Sequence, residues 1–208
     1  MRKTILQFLT ILLFLAVFTT CQNQDNSTQS QAYRREFIED KTGMHTALLF
    51  DEQTADSLYN SGVVDTALMQ RYIKVALVFS KKYPEESTTP NILLKAGHYC
   101  IVMAAAAKED WDIVAQAKQG IAIFNQLEKI YPDYEKVKFC YLYRGDIYDN
   151  VLHDYDNAKI EYNNFILKYP NDSLTKGIRD YVDNILGKDL NEVVAQFESQ
   201  NAKKKNKK

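Results

Sequence analysis

Beyond the first thirty or so positions the apolar residues never alternate with polar ones in the runs of valine, isoleucine and threonine that a strand would need. Only 4 prolines and 7 glycines punctuate the 208 residues. The pattern therefore predicts helices throughout. Its most informative feature is a recurrence of amphipathic segments with the same ending: Val78-Phe79-Ser80-Lys81-Lys82-Tyr83-Pro84, Gln126-Leu127-Glu128-Lys129-Ile130-Tyr131-Pro132 and Asn164-Phe165-Ile166-Leu167-Lys168-Tyr169-Pro170. Proline lacks the amide proton that continues a helix, and it biases the residue before it away from helical torsions. Lysine in the last turn suits the negative end of the helix dipole. Such stops recur at intervals of 48 and 38 residues, which is how stacked helical hairpins read in sequence.

The expected middle unit has two long helices, about 91–108 and 111–130, and a degenerate first unit spans about 55–83. A closing pair, near 173–186 and 190–198, follows Pro170 and is broken at Gly187.

The N-terminus has a different pattern. Met1-Arg2-Lys3 precedes a stretch from Thr4 to Thr20 without a charged residue, then Cys21 and the polar run Gln22-Asn23-Gln24-Asp25-Asn26. A positive stub followed by a short apolar stretch is a secretion signal, and this stretch fits one better than it fits a spanning helix. The expected organisation is a cleaved signal peptide (1–20), a lipidated cysteine and flexible tether (21–32), a lead-in (33–53), a helical domain (54–199) and a basic disordered tail (200–208). The tether, rich in glutamine, asparagine and serine, has nothing to bury that would offset its ordering entropy.

Charge changes the picture little. Of 26 basic residues two lie in the signal and five in the tail, so the body sets 19 against 27 acidic side chains and gives no sign of nucleic-acid binding. Cys100 and Cys140 lie in apolar, helical surroundings, and packing is expected of them before a disulfide. His45, His98 and His153 share no helical face at zinc-binding spacing, so no metal site, cofactor or catalytic residue is expected. Asp154 and Asp156 read as turn residues, and Tyr141, Tyr148, Tyr155 and Tyr162, spaced by sevens, as an aromatic seam.

Phe18-Thr19-Thr20-Cys21 resembles a bacterial lipobox, which implies that Cys21 carries a diacylglyceryl group and that the domain sits on a membrane. With Gln22 after the cysteine, the resemblance points to the outer membrane, periplasmic face. Tyr141, Gly145-Asp146-Ile147-Tyr148, Tyr155-Asp156-Asn157-Ala158, Tyr162, Phe165 and Pro170 resemble the tetratricopeptide repeat. That resemblance covers about 54–197 and implies an all-α fold, a right-handed superhelical solenoid of about three hairpins plus a C-terminal helix pair. Lipidated cysteine, tether and Lys-Tyr-Pro repeats together look like the small tetratricopeptide lipoproteins of Bacteroidetes and, more distantly, the barrel-assembly lipoproteins. By analogy with the repeat family, the first helix of each pair would line a groove, here Asn91, Leu94, His98, Ile101, Phe139, Leu142, Asp146 and Asp149. The implied role is a non-enzymatic scaffold or adaptor of the cell envelope, taking a protein or peptide partner, with outer-membrane assembly as one setting. The alternative is a ligand- or glycan-capturing accessory lipoprotein of an uptake system.

Overall fold

A computed structural model describes residues 40–205. The signal segment, Cys21, the tether and the lead-in as far as residue 39 lie outside the described residues, as do 206–208. Among the described residues every regular element is helical: α1 (Lys41–Asn60), α2 (Thr66–Lys82), α3 (Thr89–Ala106), α4 (Asp110–Ile130), α5 (Lys138–Asp146) continued by a π-helical turn (Ile147–Val151), α6 (Tyr155–Lys168), α7 (Thr175–Asn184) and α8 (Leu190–Lys205). The chain divides at Leu49/Phe50, inside α1. Before the division, Asp40 caps α1 by accepting the Gly43 amide at 2.5 Å. After it lies one continuous helical packing.

The three Tyr-Pro stops fold into the same turn. Tyr83, Tyr131 and Tyr169 close their helices at φ/ψ of −132/57, −125/59 and −126/57, each donating its amide to the carbonyl four residues back. Each tyrosine carbonyl then accepts an amide three residues on: Glu86 at 3.3 Å, Tyr134 at 3.1 Å, Asp172 at 3.1 Å. A second such bond follows at once, from Thr89, Val137 and Thr175 to Glu86, Tyr134 and Asp172. In the outer two turns a buried threonine adds its hydroxyl to the tyrosine carbonyl, Thr89 at 2.8 Å and Thr175 at 2.5 Å. The middle turn has buried Val137 there instead.

Between these stops the helices pack in chain order, α2 on α3, α3 on α4, and so on to α7, while the π turn touches α3, α4 and α6. Two contacts repeat across the hairpins. A Cβ on Gly97 would stand 2.4 Å from the Phe124 ring, and one on Gly145 would stand 2.4 Å from the Tyr162 ring, so in both pairs a glycine on the first helix admits an aromatic from the second. Gly120 lies against the Cys100 Cβ and the Gly97 carbonyl, which brings the backbones of α3 and α4 together. Cys100 and Cys140 are buried free thiols, each pushed up to about 12 by burial. The second half of α1 is tied in by polar contacts: Asp51 to Arg71 of α2, and Asp56 to Lys95 (2.6 Å) and Tyr99 (2.9 Å) of α3.

Some expected boundaries move. The start of the helical domain at 54 falls within α1, and α8 continues to Lys205, into the segment expected to be a disordered tail. Of the tyrosines spaced by sevens, Tyr148 packs against the buried cluster of Tyr162 between the two helices, Tyr141 is buried in a separate cluster with Phe165, and Tyr155 is 43% exposed.

Candidate functional site

Helical spacing puts Leu94, His98, Ile101 and Ala105 in a row along α3. Phe139, Tyr143, Asp146 and Asn150 form the corresponding row on α5 and its π turn. The two rows meet at two places. The His98 and Tyr143 rings lie 5.8 Å apart, while Ile101 with Asp146, and Ala105 with Asn150, line one cavity. Tyr143 is the centre of this face: it stacks on Phe124 at 5.3 Å and lies 6.2 Å from Phe139. At the near end Asn91 is exposed and accepts from Tyr134 and from Lys136, the latter at 3.3 Å. Of the eight residues expected in the groove, Leu94, His98, Ile101, Phe139 and Asp146 are half-buried on this face.

Leu142 and Asp149 are not on it. Leu142 packs against the buried cluster of Phe165 and Ile166, beside Ile178. Asp149 is 5% exposed and accepts the Tyr181 hydroxyl at 2.5 Å, tying the π turn to α7. A step of three takes Phe139 to Leu142 and Asp146 to Asp149; a step of four takes them to Tyr143 and Asn150, and periodicity alone does not choose between the two. The wide π turn also adds a residue that rotates Asp149 inward.

His98 is pushed below the ordinary histidine range, first by burial and then by Lys95, against the pull of Asp56 and Asp146. The imidazole is therefore neutral at pH 7 and offers a ring face and one donor. The cavity at the far end of the face has a volume of about 340 Å³. Ile101, Ala104, Ala107, Ile113 and Val151 give it alkyl walls, and Asp146 is its carboxylate, with Oδ1 accepting the Asn150 side-chain amide at 2.7 Å. His153 stands at its edge in the left-handed region, φ 53°, forced there by the backbone bonds Leu152 to Ile147 (2.9 Å) and Asp154 to Tyr148 (2.7 Å) that close the π turn.

A second polar cluster, unmarked by any motif, lies between α4, α5 and α6. Arg144 is 3% exposed and its Nη2 bonds Glu128 and Glu161, both at 2.9 Å, while its Nε and Nη1 have no hydrogen-bond partner among the described residues. Tyr141 donates to Glu128, and Lys168 reaches both Tyr141 and, at 3.1 Å, Glu128. Burial alone would raise the Glu128 carboxyl, but the hydrogen bonds from Tyr141 and Lys168 and the Arg144 charge outweigh it and hold the carboxyl below its usual range. This cluster is a clasp between three helices. Sequence could have flagged it only as charges at helical spacing.

Among the described residues no group of three or more histidine, cysteine, aspartate or glutamate side chains is placed to hold a metal ion, and no helix is long and apolar enough to cross a membrane. Over the described residues the fold is all-helical, with helices packed in chain order beside an aromatic and acidic face. No protein-family model matches the chain, and no curated protein matches it.

Proposed function

We propose that this chain is a membrane-anchored lipoprotein of the bacterial cell envelope that serves as a protein-protein interaction scaffold or adaptor, acting by binding and not by catalysis. Three turns of one geometry and packing in chain order support a right-handed superhelical solenoid of about three tetratricopeptide-like hairpins with a closing helix pair. The observation that carries the reading is the face itself. His98, Tyr143, Phe139, Ile101 and Asp146 are half-buried on neighbouring first helices, Tyr143 resting on the buried Phe124, and span aromatic, alkyl and anionic chemistry without a nucleophile beside a base. A protein or peptide partner held there at the periplasmic face of the outer membrane suits the lipobox-like Cys21, and outer-membrane assembly is the setting that resemblance suggests.

The test is capture from crosslinked, detergent-solubilised envelopes. The expected result is a defined partner that is lost when His98, Tyr143 and Asp146 are changed to alanine; recovery of the same partner by that variant would overturn the reading. Cys21→Ala should move the protein from the membrane to the soluble fraction, and unchanged sedimentation would remove the anchor. Capture of a ligand or glycan for an uptake system has the cavity in its favour, and saturable oligosaccharide binding with no envelope partner would select it.

A further inference from the structure

The cavity beside Asp146 has a chemistry more specific than the rest of the face. We propose that it is the subsite for a lysine or arginine side chain of the protein partner, a claim that rests on the adaptor reading and names its chemistry.

Ile101, Ala105, Ile113 and Val151 offer alkyl wall to a methylene stem, and Asp146 is the one carboxylate in a lining that also holds Asn150 and His153. Asn150 fixes Asp146 through Oδ1, which leaves Oδ2 to accept a proton from a charged head. Long basic side chains bury their stems and keep a charged tip near water, which suits a recess with alkyl walls and a half-buried carboxylate. A volume of about 340 Å³ is at the low end of ligand pockets, roughly 300–1,000 Å³, and suits one extended side chain better than an oligosaccharide. Charge complementarity narrows the occupant further. No lysine or arginine lines the cavity, an anionic side chain would meet Asp146 as a like charge, and a purely aliphatic one would strip water from Asp146 and return nothing.

Trp111, the single tryptophan, shares the first turn of α4 with Ile113 and is 72% exposed, so it is a built-in reporter. The full chain in detergent micelles is titrated with capped Gly-Gly-Lys-Gly-Gly and with the same peptide carrying norleucine or glutamate at its centre. Trp111 emission is followed together with the amide resonances of Ile113 and Asn150, so that a silent indole does not hide binding. The expected result is saturable binding of the lysine peptide alone, weakened roughly tenfold by Asp146→Asn, the loss of one charge-assisted hydrogen bond. Ala105→Leu, at an exposed position, should fill the recess and abolish binding with the helical circular dichroism unchanged.

Equal binding of the norleucine peptide, or unchanged affinity in both variants, would overturn the subsite. Tighter binding of n-pentylamine than of the peptide would assign the cavity to a free amine and overturn it as well. Should the peptides fail to bind while an envelope partner is still captured through His98 and Tyr143, the subsite falls and the adaptor reading stands. If the lysine peptide binds and no partner is captured, it is the adaptor reading that falls.

Discussion

Gly97 and Gly145 each hold open the space that an aromatic ring from the next helix fills, so at these positions a methyl group meets buried carbon and not solvent. Gly145→Ala should destabilise the protein by about 1–3 kcal/mol, the usual cost of overpacking, even though alanine is the better helix former. Gly177 on α7 has nothing within 4 Å of its would-be Cβ, and Gly177→Ala should stabilise by about 0.5–1 kcal/mol. Urea midpoints of the pair, moving in opposite directions, would check this; movement in the same direction would mean that the Tyr162 ring yields without strain. Glu128 makes a second residue-scale prediction. Its carboxyl titrates lower in the folded chain than its ordinary value of 4.5, so the stability it contributes is present above that pH and is lost as pH falls through the folded value. Glu128→Gln should therefore be less stable than the parent at pH 7, yet lose less on acidification below about pH 4.5, as read from thermal midpoints across pH 3–7.

At the scale of elements, the Tyr-Pro stops were legible because proline chemistry is local, and each of α2, α4 and α6 ends at the residue the pattern marks. The threonine that follows six residues later was not legible, since a hydroxyl bonded to a carbonyl leaves no periodic trace and the middle turn substitutes Val137. Nor was the π turn, whose extra residue shows only as a phase slip that moves Asn150 onto the face and Asp149 into the helix stack. Hence the expected row on α3 keeps Leu94, His98 and Ile101 together, while on α5 Leu142 and Asp149 turn toward other helices. The threonines give the matching prediction. Thr89→Val or Thr175→Val removes one hydroxyl from a nearly fully buried position, leaving the tyrosine carbonyl its amide partner, so each should cost about 1 kcal/mol. Chemical denaturation of the two single variants measures it, and a cost near zero for both would mean that the amide bonds alone hold the turn.

Across the whole molecule, packing in chain order means that stability need not be uniform, because a helix released at one end takes few distant contacts with it. The helices around the face have the most to lose. α3 lies between α2 and α4, buries Leu93, Ala96, Tyr99 and Cys100, and is joined to α1 through Lys95 and Tyr99. By contrast α8 reaches back through Gln196, which donates to Asn184 of α7 at 2.7 Å and accepts from Lys188 of the intervening turn at 2.8 Å, and its Val194 and Phe197 are exposed. Native-state hydrogen exchange should therefore find the α3 and α4 amides protected to the global unfolding free energy, α7 less so, and α8 opening first. Val182→Ala, at the α6–α7 contact, should lower protection in α7 and α6 while leaving α3 nearly unchanged. Equal loss of protection across α3 to α7 would mean a single cooperative core, in which the face could not be preorganised independently of the closing helices. A gradient would mean that the His98–Tyr143 seam is presented by the most rigid part of the chain, which lowers the ordering entropy a partner must overcome on binding.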